Sequence, residues 1–419
     1  MRTSRRKFLS NAGALGLAGT IPGGFYNLHD WRLPTQRRKS RKIGPSDTIR
    51  VGVIGTGGRG TNLMQNIQEV EGMEVVACCD ILPFRLEKAL TLAAKEAKGY
   101  DDYRRLLEHP SLDAVIISTP LYLHFEMAKD CLAAGKHIYC EKTMTFTIEE
   151  AKRLGPLVAE SDSIFQVGYQ HRYNTLYQKV KDIIRGEEFG PLSHVECYWN
   201  RNGDWRRPVP DPKFERIINW RMYREYSGGM MAELSSHQMN IVNWMVGASP
   251  NKVIGSGGID YWKDGRETYD NIHAIFSYPD GLKVSCTCLT TNSQMGFQMK
   301  FYGKNATIQI IREDSYLARL WVEPRYLASM QIEDNKDVDS VTGATAMLKK
   351  GKAIPLFDAA TGKEDTEPTI FAVADFGRCI REDRKPIVGY ESGKESSYCV
   401  ALANKAMQSG EPVYWKDYV

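Results

Sequence analysis

Nowhere do about 18 apolar residues run together, so no segment has the length and hydropathy of a membrane-spanning helix. Cysteine occurs nine times but never as a C-x-x-C pair. Cys78, Cys79, Cys140, Cys197, Cys286 and Cys288 fall in apparent strands and read as small core residues, which excludes a disulfide framework or zinc ribbon. Charge of one sign is not in excess. The net charge is +4 over 419 residues, and part of it sits in the first 42. Outside that tail no basic stripe alternates with aromatics, so nucleic acid is not an expected partner. Internal repeats and low-complexity tracts are also missing. What remains is ordinary globular composition, 42% hydrophobic and 25% charged, in a chain long enough for two domains.

Residues 1–46 read as a separate unit. Ser4-Arg5-Arg6-Lys7-Phe8-Leu9 is a twin-arginine pattern, followed by a weakly apolar Gly/Ala-rich run from Ala12 to Ile21. That layout is an export signal. A second basic run, Arg37-Arg38-Lys39-Ser40-Arg41-Lys42, reads as a solvated linker. A periplasmic protein, exported folded with its cofactor already bound, is the expectation.

The stretch from Ile49 to Asp80 is the most informative. Ile49–Ile54 reads as a buried strand, then Gly55-Thr56-Gly57-Gly58-Arg59-Gly60 as a turn. Thr61–Val70 has helical apolar spacing, and Val75–Cys79 is a second strand closed by Asp80. This is the dinucleotide-binding context: Gly55 for the tight turn, Gly57 for backbone approach to a pyrophosphate, Gly60 for close helix–strand packing. The free N–H groups at the helix start would hold the phosphates. Asp80 would accept from the ribose hydroxyls and repel a 2′-phosphate, which favours NAD. Arg59, close to where such a phosphate would lie, leaves NADP as the lesser option.

Further along, helices are expected at Phe84–Lys98, Leu123–Ala134 and Ile148–Ser161, with strands at Ala114–Ser118, His137–Cys140 and Ile164–Val167. This alternation predicts a doubly wound parallel sheet, a Rossmann domain over 47–167. Over 168–419 the rhythm changes. Strand-like runs dominate (Leu192–Trp199, Val253–Ile259, Ile272–Tyr278, Leu282–Leu289, Phe297–Tyr302, Ala306–Ile311), predicting an α+β domain with a large, mainly antiparallel open sheet. Asp334–Thr366 is polar and loop-like, and helices at Ile370–Glu382 and Gly393–Gln408 end the chain.

In open α/β sheets ligands bind beyond the carboxyl ends of the strands. Three such ends carry marked residues: Thr119-Pro120 with His124, Glu141-Lys142, and Gly168–Tyr173 with Tyr169, His171 and Arg172. Glu233 and His237, four apart on a helix from about Met230 to Val246, share a face, so the carboxylate can orient the imidazole. The same spacing suits two metal ligands, but no third follows and no metal is expected.

With Gly228-Gly229 ahead of that helix, these motifs resemble the Gfo/Idh/MocA oxidoreductases from Ile49 to the C-terminus. The resemblance implies a sugar, inositol or related polyol substrate and homo-oligomers packed through the C-terminal sheet. It places Lys142 by the nicotinamide and a substrate hydroxyl, His237 as acid/base, and Arg172 as a recurrent arginine after the last Rossmann strand. Three positions depart from the family pattern. Thr143 replaces a proline, so the turn that aims Lys142 is expected without a cis bond. Glu233 replaces an aspartate, and Asn240 stands where many members carry a second acid.

Oxidising a secondary alcohol needs a base for the hydroxyl proton, and imidazole suits the task. An ammonium at Lys142 would stabilise developing alkoxide charge. Trp205, Trp220 and Arg221 add aromatic faces and planar polar groups of the kind that hold sugars. Three functions fit: an exported NAD(P)-dependent oxidoreductase, an NAD-dependent glycosidase working through transient oxidation, and a non-catalytic sugar-binding paralogue.

Overall fold

In the N-terminal half, strand residues such as Val51, Val53, Ile116 and Ile117 are buried, which demands helices on both faces of their sheet. The computed structural model describes residues 38–44, 46–311, 317–329, 353–356 and 368–419. The twin-arginine stretch and most of the polar segment 334–366 lie outside these. Among the described residues, β1 (Ile49–Ile54), β2 (Met73–Cys79), β3 (Lys98–Tyr100), β4 (Ala114–Ile117), β5 (His137–Cys140) and β6 (Phe165–Val167) form a parallel sheet. Their order is β3-β2-β1-β4-β5-β6. The switch point therefore lies between β1 and β4, where a ligand crevice opens.

One expected element differs. The helix after Asp80 spans only Pro83–Leu90, and Lys98–Tyr100 pairs with Ala77–Cys79 as an edge strand. Its backbone finds ladder partners, while its short polar sequence has no apolar alternation to reveal it.

The second domain holds a nine-stranded sheet in the order β14-β13-β12-β11-β7-β10-β9-β8-β15 among the described residues. Its long members are β7 (Leu192–Asn200), β8 (Lys252–Gly258), β9 (Asn271–Ser277), β10 (Lys283–Leu289) and β11 (Phe297–Gly303). Shorter strands β12 (Ala306–Ile310), β13 (Ala318–Val322), β14 (Ile354–Pro355) and β15 (Val413–Tyr414) complete it. Only β7 and β10 run parallel; every other pairing is antiparallel. Burial alternates along β9 and β10, so one face packs on a core. That core is shared with helices Ser236–Val246 and Tyr390–Ser409 through Met239, Val242, Leu402 and Ala406.

Late in the chain, helix Pro368–Glu382 returns to the N-terminal sheet. Ala372 and Phe376 join that core, Phe376 meets Tyr139 edge-on, and the Gln166 side chain donates to the Ala372 carbonyl at 2.8 Å. All nine cysteines are buried with free thiols. No helix among the described residues is long and apolar enough to cross a membrane.

Candidate active site

β1 delivers the chain into Gly55, whose φ of +86° is open to glycine at little cost. At Gly60 a Cβ would lie 2.0 Å from the Gly55 carbonyl oxygen and 2.7 Å from Ser118 Oγ, so helix Gly58–Gln68 touches the strand–turn backbone directly. That helix starts with no side-chain cap and no acid in its first turn, leaving N–H groups as an anion seat. Asp80 braces the same turn. Its Oδ2 accepts from the Thr56 amide at 2.8 Å and the Thr56 hydroxyl at 3.2 Å, and its Oδ1 accepts from the Leu82 amide at 2.9 Å. A carboxylate has about four lone-pair sites, so one acceptor position is left for a ligand.

Arg59 is held by protein partners. Its Nε donates to Glu141 Oε1 at 2.7 Å and its Nη1 to Thr369 Oγ1 at 3.1 Å, tying the glycine turn to the end of β5 and to helix Pro368–Glu382.

At the ends of β4 and β5, buried His124 links two loops. Its Nδ1 lies 2.8 Å from the Thr143 carbonyl and its Nε2 3.0 Å from the Thr119 carbonyl. The Lys142–Thr143 peptide is cis, contrary to the expectation from threonine at 143. Lys142 Nζ does not pair with Glu141. It donates to the Glu233 carbonyl at 2.8 Å, across the domain boundary. Burial lowers the Lys142 pKa, against the opposing pull of Glu233 and Glu141.

Glu233 and His237 do not form the expected carboxylate–imidazole pair. Residues Met231–Ser235 make a π-helical turn, so a spacing of four no longer closes one turn. Glu233 Oε2 instead accepts from Arg221 Nε at 2.7 Å. Burial alone would raise the Glu233 pKa, but Arg221 and Lys142 hold it below the usual carboxylate value. His237 Nδ1 is buried without a hydrogen-bond partner. Burial, then the Lys142 charge, pushes the His237 pKa well below 6.5, so the imidazole is neutral.

A cavity of about 970 Å³ joins these parts. It runs from Asp80 past Gly55, Gly57, Gly58 and Arg59 to Thr119, Pro120, His124, Glu141 and Lys142. Across the cleft the second domain contributes Trp205, Trp220, Arg221, Glu233 and His237. Trp205 adopts φ +67°, a left-handed backbone rare for a bulky aromatic. Gly60 acts from behind the turn. Tyr169, His171 and Arg172 are buried and lie outside the cavity lining. Tyr169 and His171 pack edge-on against His237 at ring separations of 5.6 and 4.9 Å, and burial pushes the His171 pKa down to about 3. Arg172 donates to Asn240 Oδ1 at 2.7 Å and to the Asn240 carbonyl at 2.9 Å. Asn240 is thus the neutral partner of a buried arginine and no proton relay. Gln170, inside the marked Gly168–Tyr173 stretch, and Arg207, two residues after Trp205, also line the cavity; Arg85 lines it too and escaped the sequence reading because it belongs to no recognisable motif. Among the described residues, no cluster of His, Cys, Asp and Glu could hold a metal ion.

The group this architecture implies is a dinucleotide, and the residues fit it. The turn presents backbone where side chains would block, the helix start is uncapped, and Asp80 keeps an acceptor free. Two family models match the chain. Residues 49–169 match the oxidoreductase family with NAD-binding Rossmann fold, and residues 177–309 match the GFO/IDH/MocA C-terminal domain. The chain belongs to the Gfo/Idh/MocA family. Similar members include scyllo-inositol 2-dehydrogenase (NAD(+)) of Bacillus subtilis, 30% identical over 50% of this chain and 58% of that protein. Glycosyl hydrolase family 109 protein 2 of Shewanella is 32% identical over 44% of this chain and 42% of that protein. The chain spans about half the length of the curated relatives it matches. Among solved structures, the aldose–aldose oxidoreductase of Caulobacter crescentus superposes with a TM-score of 0.68 at 20% identity, over 88% of this chain and 99% of that one. This Gfo/Idh/MocA fold therefore extends through both domains.

Proposed function

We propose that the protein is an NAD-dependent oxidoreductase that moves hydride between a resident nicotinamide cofactor and a hydroxyl of a sugar, inositol or sugar derivative. The observation that carries this reading is one cavity holding both the Asp80–glycine turn and the Lys142–His237 pair. The bound cofactor would supply the hydride acceptor and donor. Gly57, Gly58 and the helix start would hold its phosphates, and Asp80 its ribose. Lys142, fixed by the Glu233 carbonyl, would hydrogen-bond the reacting oxygen and stabilise its developing negative charge. Neutral His237 can accept a hydroxyl proton. Trp205 and Trp220 would stack on apolar sugar faces, with Arg221 reading a hydroxyl. Tyr169 and His171 would act by holding His237, and Arg172 by holding helix Ser236–Val246 through Asn240.

The twin-arginine start supports export to the periplasm, and the open face of the C-terminal sheet supports packing into homo-oligomers. No free NAD pool would recycle an exported cofactor, so one substrate would be oxidised and another reduced on the same protein. The decisive experiment incubates the purified protein with a panel of sugars and polyols and follows the absorbance of bound nicotinamide. No spectral change with any of them would sink the reading.

A second reading is glycoside cleavage through transient oxidation, elimination and re-reduction. The likeness to the glycosyl hydrolase of Shewanella favours it. Cleavage that requires NAD without net reduction would select it. A non-catalytic sugar binder would bind ligand equally well after Lys142→Ala and His237→Ala, with no turnover in the parent.

Asp80→Ala is expected to weaken NAD about tenfold or more, the loss of a hydrogen bond to a charged acceptor. Nucleotide copurifying with wild type and variant measures it. Equal retention would remove Asp80 from the cofactor site.

A further inference from the structure

Two guanidinium groups stand over the glycine turn from opposite domains. A methyl group built on Gly57 would lie 3.4 Å from Arg85 Nη1, and one on Gly58 would lie 3.5 Å from Arg207 Nη1. Arg85 belongs to helix Pro83–Leu90 of the first domain, and Arg207 to the loop that follows β7 in the second. Among the described residues neither guanidinium has a carboxylate partner, whereas the neighbouring Arg59, Arg206 and Arg221 are all paired. Burial lowers the Arg207 pKa, and the charges of Arg221 and Arg85 lower it further. Positive charge is thus gathered here, with no carboxylate paired to Arg85 or Arg207 among the described residues.

The mounting of Arg207 is rigid. Its amide donates to Asn219 Oδ1 at 2.8 Å, and Asn219 Nδ2 donates back to its carbonyl at 3.1 Å. Asn219 is itself buried. The adjacent Arg206 is anchored to Asp264 at 3.2 Å and to Glu215. Further along, Phe214 meets Phe84 of the first domain edge-on, with ring centroids 6.0 Å apart. The loop 201–218 therefore crosses the cofactor end of the cleft and touches down on the far side.

We propose that this loop is a strap over the cofactor, with Arg207 and Arg85 gripping its diphosphate from two domains, so that release requires the strap to lift. The inference rests on the dinucleotide reading above. The helix start offers neutral N–H donors on one side of the diphosphate. The two arginines supply full charges on the other, as charge-assisted hydrogen bonds. A resident cofactor follows from the slow step of parting Phe214 from Phe84 and Arg207 from phosphate together.

The test measures NADH release, by fluorescence during a chase with excess NAD, from wild type, Arg207→Ala, Arg207→Lys and Phe214→Ala. Arg207→Ala is expected to speed release about 10- to 100-fold, the loss of a hydrogen bond to a charged group. Arg207→Lys should recover part of this. Phe214→Ala should speed both association and release. Calorimetry supplies the control: Arg207→Ala should weaken ADP but leave adenosine unchanged. Wild-type release rates in Arg207→Ala, or equal losses for adenosine and ADP, would overturn the strap. A loss confined to NADPH would move Arg207 to a 2′-phosphate, and one confined to a sugar phosphate would move it to the substrate; either overturns the diphosphate assignment. Wild type that binds neither NADH nor ADP would instead sink the dinucleotide reading itself.

Discussion

Lys142→Met is expected to lower kcat by about 10²- to 10⁴-fold on whichever sugar the wild type turns over, with NAD retention unchanged. Methionine matches the length of the lysine stem but removes the ammonium. The Glu233 carbonyl then loses its 2.8 Å donor, and the reacting oxygen would lose the ammonium that stabilises its charge. Neither change touches the glycine turn, so the nucleotide content of the purified variant separates chemistry from binding. The pH profile adds an independent check. Burial lowers the Lys142 pKa below 10.5, so its ammonium charge is lost at lower pH than for an ordinary lysine. A step that depends on the Lys142 ammonium should therefore fall as pH rises, along a limb centred below 10.5, and the limb should vanish in Lys142→Met. His237, held neutral by burial and by the Lys142 charge, should contribute no limb near 6.5. A kcat within twofold of wild type would remove Lys142 from the chemistry.

What the sequence made legible was local. The glycine turn, β1, β2 and Asp80 are contiguous, and their roles follow from backbone conformation and from one residue's fit against the next. The antiparallel sheet was legible for a similar reason, since alternation along β9 or β10 is a period-two signal carried by each strand alone. The features beyond its reach depend on partners far away in the chain. Arg59 pairs with Glu141, 82 positions on, and Arg172 with Asn240, 68 positions on. Asn240 looked like a missing acid until its arginine was placed beside it. Glu233 and His237 failed differently. Their spacing of four assumed an α-helix, and the π turn between Met231 and Ser235 re-aims the carboxylate at Arg221. No periodicity argument distinguishes one inserted residue in a turn whose flanks are all buried. Helix Pro368–Glu382 was recognisable as a helix, but the sheet it covers could not be read from its own pattern.

Among the described glycines, Gly60→Ala should be the most damaging alanine substitution. The added methyl would sit 2.0 Å from the Gly55 carbonyl oxygen and 2.7 Å from Ser118 Oγ. Neither atom is the free end of a flexible side chain. The Gly55 carbonyl belongs to the turn itself, and Ser118 Oγ donates to that carbonyl at 2.5 Å, closing the end of β4 against the turn. Relief requires helix Gly58–Gln68 to move off the strand. Overpacking of this kind costs about 1–3 kcal/mol, and a backbone obstacle puts the change at the upper end. For a domain of this size each kcal/mol lowers Tm by roughly 2–4 °C. The larger consequence is functional. Moving the helix start draws its N–H groups away from the phosphates, so the variant should purify without nucleotide. Gly58→Ala is the contrasting case, because its methyl would meet only Arg207 Nη1 at 3.5 Å, the end of a mobile side chain. That variant should fold with nearly the wild-type Tm. If Gly60→Ala instead keeps both Tm and bound nucleotide, helix and strand do not approach as closely as this packing requires, and the turn has lost its reason for a third glycine.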